Sequence, residues 1–144
     1  MGIHIFCGDC NYYLSSSKWN IIKFNLFFYC LDYIKKNVTT TIIHDINYIA
    51  NDNSSISTYM LNKLCNDIFI KYYTIFENTK LTSIITLLNK NDNDDDYSIT
   101  DASHIINMLR VVYECVLPVD KIIVDKLLLI FEKSIQYSLV VKIE

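Results

Sequence analysis

Glycine occurs only twice in this chain of 144 residues, as Gly2 and Gly8, and proline once, as Pro118. Two-residue hairpin loops need backbone at positive φ, which glycine reaches most easily. A chain so poor in glycine has few places for tight strand connections. The expected class is therefore all-α rather than a sandwich or barrel. Abundant isoleucine favours strands by propensity, so the spacing of apolar residues has to decide. The length fits one domain with a real core. The hydrophobic fraction of 51% lies at or above the upper end of the usual range, about 45–50%.

That spacing is helical along most of the chain. Residues 1–16 show no clear period and read as an N-terminal arm or short element, leaving 17–144 as the helical domain. Ser17 is placed to cap a helix over 18–36, in which Trp19, Ile22, Leu26, Tyr29, Cys30 and Tyr33 follow helical spacing. Ile21, Phe24, Phe28 and Leu31 fill much of its other face, the pattern of a helix buried in a core or at an oligomer contact. A second helix is expected from Thr40 or Thr41 to Ala50, then a loop over 51–55. Ser57 would cap a third, with Leu61, Leu64, Ile68, Tyr72 and Ile75 at intervals of three and four. Residues 73–78 read as a corner packed by tyrosines, with Asn78 capping a helix through Leu81, Ile84, Ile85 and Leu88. After the acidic loop 89–98, Thr100 or Asp101 opens a strongly apolar helix through Ile105, Leu109, Val112 and Val116. Asp120 would cap a last helix through Ile123, Leu127, Ile130 and Phe131 to about Ile135. Amphipathic helices around one apolar helix suit a bundle with a central buried member.

Net charge is −3 and no basic stripe is present, so nucleic-acid binding has little electrostatic support. No basic-then-apolar leader is visible. The apolar run 21–34 contains Lys23, Asn25 and Asp32 and falls short of the roughly 20 apolar residues that a span requires. The run 122–143 is broken by Asp125, Lys126, Glu132, Lys133 and Lys142, so no stable membrane anchor is expected. Five irregularly spaced cysteines fit reduced thiols better than a disulfide framework.

Local motifs give little chemistry. Cys7 and Cys10 form an isolated C-x-x-C with His4 nearby; such a pair can bind zinc or exchange disulfides, but a closed zinc site needs further ligands and a thioredoxin-type site a βαβ context, and neither is evident. Asp92, Asp94 and Asp96 imitate the start of a calcium loop, but Tyr97 stands where glycine is needed and Ser103 where glutamate is needed. The initial Met-Gly lacks the serine or threonine of a myristoylation signal, having Phe6 there. His4, His44 and His104 are scattered, and the glycine count leaves no phosphate-binding loop. No catalytic residue, metal or cofactor is expected.

Three stretches carry a resemblance. Residues 66–73, Asn-Asp-Ile-Phe-Ile-Lys-Tyr-Tyr, resemble a helix ending of the poxvirus Bcl-2-like family of intracellular immunomodulators. Residues 31–37 are similar to that family's first-helix ending, and 97–112 to its central hydrophobic helix, in the same order and about the same spacing over roughly 24–135. Abundant Ile, Asn, Lys and Tyr, with A/T-rich codons, agree with such an origin. The resemblance implies a non-enzymatic Bcl-2-like bundle in the host cytoplasm. It would inhibit NF-κB or interferon regulatory factor activation by binding host signalling proteins. The alternative is an apoptosis inhibitor that sequesters pro-apoptotic BH3 helices.

Asn107-Met-Leu-Arg110 is similar to the Asn-Trp-Gly-Arg motif of cellular Bcl-2 proteins, with Leu109 in place of glycine. Asn107 and Arg110, with Leu64 and Ile68, are accordingly the expected partner-binding residues. A homodimer is expected through Trp19, Phe24, Phe27 and Phe28 of the first helix, because their apolar surface exceeds what one core contact covers. The other possibility is that residues 1–16 fold back over this face.

Overall fold

The computed structural model describes residues 2–38, 58–90 and 96–144. The expected helix 40–50, the loop 51–55, the Ser57 cap, His44 and the acidic positions Asp92 and Asp94 lie outside the described residues.

The chain begins with a hairpin, not an irregular arm. Strand β1 (Gly2–Cys7) and strand β2 (Cys10–Ser15) pair antiparallel, from Gly2 opposite Ser15 to Cys7 opposite Cys10. Only Gly8 and Asp9 join them. Gly8 has φ +60° while Asp9 keeps a negative φ, the glycine-first geometry of a II′ turn. Alternation supplies the two faces. Ile3, Ile5, Cys7 and Leu14 point into the core, while His4 stacks outside between Phe6 and Tyr13 at 4.3 and 4.2 Å. A short strand β3 (Lys142–Ile143) adds to the other edge of β1, giving the order β2-β1-β3. The all-α expectation is thus corrected to a mostly helical fold with a small antiparallel sheet. Scarce glycine limits the number of tight hairpins, but one hairpin needs only one glycine. Gly8→Ala should cost about 1–2 kcal/mol from backbone strain alone, since an added Cβ would meet only Leu139 Cδ1, at an ordinary 3.9 Å. Urea denaturation measures this, and Gly8→Asn should lose less because asparagine tolerates positive φ better.

Helix α1 (Ser16–Asn37) starts earlier than expected, because Ser15 rather than Ser17 is the cap; its Oγ accepts the Lys18 N–H at 3.1 Å. Its nearly continuous apolar surface is covered within the same chain. Trp19 is 2% exposed, Phe24 7% and Phe27 0%, while Phe28 is half-buried. The hairpin, helix α2 (Thr58–Lys71), helix α4 (Ser83–Asn89) and helix α5 (Ile99–Val112) all pack on α1. Trp19, Phe24 and Phe27 are therefore core residues rather than a free dimer face, and residues 2–16 do fold back onto the bundle.

Helix α2 breaks at Tyr72, whose φ and ψ are −112° and 27°, and helix α3 (Tyr73–Asn78) follows at once. The expected corner is thus a short helix of its own. Lys80 then takes φ 61°, and α4 begins after Thr82 rather than after Asn78. Helix α5 opens on a reciprocal capping box. Ser98 Oγ accepts the Asp101 N–H at 3.0 Å and Asp101 Oδ2 accepts the Ser98 N–H at 3.1 Å. It ends at a 3-10 turn over Tyr113–Cys115, earlier than the expected Val116. Helix α6 (Pro118–Tyr137) has proline in its first turn, where no backbone N–H is needed. Asp120 lies inside that turn, not at the cap. Ser138, at φ 54°, ends α6 and turns the chain towards β3. There Val141 pairs with Tyr97, and Glu144 with His4. The residues after α6 thus complete the sheet on β1.

Candidate functional site

Helix α5 packs against α1, α4 and α6. Ala102, Ile105, Ile106, Met108, Leu109 and Val112 are buried, while His104, Asn107 and Arg110 stand exposed at intervals of three. This is the three-and-four spacing of a helix whose wide apolar face meets a core. The N-terminus of α4 is held against α5 by Ser83 Oγ, which donates to the His104 carbonyl at 3.2 Å.

Two open hollows flank that contact. One, of about 260 Å³, is lined by Phe69, Tyr73, Ile85, Thr86 and Asp101; the other, of about 220 Å³, by Glu77, Lys80 and Asn107. Thr82, Ser83 and His104 border both, so the hollows lie side by side across α2, α3, α4 and α5, a groove divided by the Ser83–His104 contact. Its aromatic and aliphatic end can seat an apolar side chain. Its other end offers carboxylate, ammonium and amide groups for orientation.

The expected partner-binding residues are not brought together. Asn107 lines the groove. Arg110 turns towards α6, where its Nη2 donates to Glu132 Oε1 at 2.6 Å. Leu109 is fully buried, so its side chain points into the core and not towards a ligand. Leu64 is half-buried and Ile68 buried on α2, which packs on α1 and α4. Phe69 and Tyr73, rather than Leu64 and Ile68, line the groove, in edge-to-face contact at 5.6 Å. Residue spacing misses this pair because it draws a single three-and-four stripe through Tyr72, where the helix breaks. The double tyrosine is the signal that could have found it. The Ser83–His104 link joins residues 21 apart and has no local signature.

A larger hollow of about 560 Å³ lies between α1, α2 and α4, lined by Asn20, Lys23, Phe24, Tyr59, Asn62, Leu88 and Asn89. Tyr59 and Asn89 adjoin segments 39–57 and 91–95 in the chain, which lie outside the described residues, so no role is assigned to it. Among the described residues, no group of three or more His, Cys, Asp or Glu side chains is placed to hold a metal.

The five thiols are all free. Burial pushes the Cys65 thiol up to about 12. Burial also raises Cys30, with a further push from Cys115. Alkylation at pH 8 should therefore leave Cys30 and Cys65 unmodified while Cys10 and Cys115, both half-buried, react. The thiolate fraction at Cys65 should be about a thousandfold below that of an ordinary thiol. Mass-spectrometric counting of carbamidomethyl groups in native protein checks this order.

One helix face is apolar and open. Val119, Ile122 and Leu129 lie exposed along α6, Ile122 at 68%. Among the described residues no helix is long and apolar enough to cross a membrane. No family model matches the chain, and comparison with curated proteins and with solved structures likewise finds no match.

Proposed function

We propose that this chain is a non-enzymatic viral inhibitor of host innate immune signalling, a Bcl-2-like bundle that binds host signalling proteins in the cytoplasm. The observation that carries the reading is the groove beside α5, lined at one end by Phe69, Tyr73 and Ile85 and at the other by Glu77, Lys80, His104 and Asn107. It coincides with two of the three stretches that carry the family resemblance, 66–73 and 97–112. A host helix laid in this groove would be masked from its own partner. Expression in cells with NF-κB and interferon-β reporters tests the proposal. Reporter output should fall for at least one stimulus, and Tyr73→Ala with His104→Ala should restore it while the protein remains folded. Unchanged reporters across stimuli would count against it.

The second reading is capture of BH3 helices, favoured by Asn107 at the groove rim. The Arg110–Glu132 pair weighs against it, because the arginine is engaged on α6. A panel of BH3 peptides separates the readings. Micromolar binding weakened by Arg110→Ala would support capture, and no binding would remove it.

Self-association is proposed through α6 in place of α1. In an antiparallel pairing centred between Asp125 and Lys126, Asp125 faces Lys126 and Ile122 faces Leu129 of a second copy, so the face complements itself. Light scattering should show a dimer that Ile122→Lys dissociates. A species of 16.9 kDa at micromolar concentration would exclude it.

A further inference from the structure

The C-x-x-C of the sequence occupies a defined place in the fold. Cys7 and Cys10 are directly opposed across the Gly8-Asp9 turn. Opposed residues of an antiparallel pair project to the same face, with Cα atoms about 4.5–5.5 Å apart. A disulfide needs roughly 4.4–6.8 Å between Cα atoms. The two thiols differ in access: Cys7 is 1% exposed, whereas Cys10 is half-buried. The turn already holds both sulfurs on one side, so closing the bond would require only side-chain rotation.

We propose that Cys7 and Cys10 form a reversible disulfide site, oxidised by a peroxide or by a small-molecule disulfide. With hydrogen peroxide, the Cys10 thiolate attacks one peroxide oxygen, giving a sulfenic acid and hydroxide, which takes up a proton to become water. The Cys7 sulfur then attacks the Cys10 sulfur, the S–S bond forms, the S–O bond breaks, and a second water leaves with the Cys7 proton. Two thiols and one peroxide thus become one disulfide and two waters. With glutathione disulfide, Cys10 first forms a mixed disulfide and Cys7 displaces the second glutathione thiol. Burial, and secondarily Cys10, raise the Cys7 thiol, which suits it to the resolving step rather than the first attack.

The surroundings tolerate the change. Cys7 Sγ donates to the Leu139 carbonyl at 3.8 Å, and that carbonyl also accepts the Ser134 hydroxyl. When Cys7 loses its proton to the disulfide, the carbonyl keeps its stronger donor, so the end of α6 retains its partner.

The full chain is treated with hydrogen peroxide or glutathione disulfide, then denatured, its remaining thiols are blocked, and it is digested with trypsin. Lys18 is the first basic residue, so both cysteines fall in the N-terminal peptide 1–18. The expected result is that this peptide loses the mass of two hydrogens and regains it with dithiothreitol. The free-thiol count should fall from five by two. Cys10→Ser should abolish the loss and Cys115→Ser should leave it intact. The mass loss in the unaltered chain is decisive without any variant. Three results would overturn the proposal: a peptide that carries two blocking groups, a peptide that gains oxygen or glutathione at Cys10 without closing, or a disulfide formed instead by Cys30, Cys65 or Cys115.

Discussion

Phe27→Ala should lower the unfolding free energy by about 4 kcal/mol, the middle of the range for a buried phenylalanine. Phe27 is completely buried and stacks on Phe76 of α3 at 5.7 Å, with the Phe28 ring edge-on at 6.2 Å. Truncation removes the contact by which α1 and α3 share one apolar cluster and leaves a cavity between them. Domains of this size are stable by only about 5–15 kcal/mol, so the variant should unfold at a much lower urea midpoint. The shift should be the same at protein concentrations a hundredfold apart, because the loss is internal. If Phe27 were instead an intersubunit contact, the shift itself would depend on concentration and the isolated chain would lose little. A change below about 1 kcal/mol would contradict the core assignment.

Asp120→Ala should be the next most damaging, by about 3 kcal/mol, the scale for breaking a buried charged hydrogen-bond set. Asp120 is buried in the first turn of α6, where a carboxylate also meets the positive end of the helix. Its Oδ2 accepts the Tyr29 hydroxyl and the Asn25 Nδ2, the latter at 3.1 Å. Alanine would strand both donors between α1 and α6. Asp120→Asn, which retains an acceptor oxygen, should lose less. The same contact gives a pH dependence. Burial, then the hydrogen bond and charge of Asp120, raise the Tyr29 hydroxyl above its ordinary value. Its folded value lies above its unfolded one, so its contribution is complete below about pH 10 and is lost as pH rises through the folded value. Tyr29→Phe should flatten this part of the alkaline stability curve. An unaltered alkaline slope would show that Tyr29 does not govern it.

Most helices are legible in the sequence because three-and-four spacing is a local property. The apolar residues of α1, α5 and α6 lie on the sides of the helices that the spacing indicates, while α5 keeps an exposed face at His104, Asn107 and Arg110 and is not buried all round. Boundaries shift where two polar residues compete for one cap. Ser15 prevails over Ser17 at α1 because its hydroxyl reaches the Lys18 N–H. At α6, Pro118 sets the start and leaves Asp120 inside the first turn. The hairpin escapes an argument from glycine scarcity, because scarcity is a property of the whole chain and a single turn is not. Gly8 and the alternating residues of β1 carry its local signals.

What the sequence determines by itself is therefore what short-range sterics and periodicity decide: where helices can run, that Gly8 can turn tightly, and that α1 is too apolar to stand in water. What covers α1 is a long-range matter. Trp19 and Phe27 could have met a second copy or their own chain, and only the tertiary structure puts the hairpin, α2 and α4 over them. The groove arises in the same way. Phe69, Ser83 and His104 come from separate elements, and their meeting depends on the break at Tyr72 and on Lys80 at φ 61°. Such contacts join residues far apart in the chain, and their free energy is realised only when the whole bundle closes, so no window of neighbouring residues contains them.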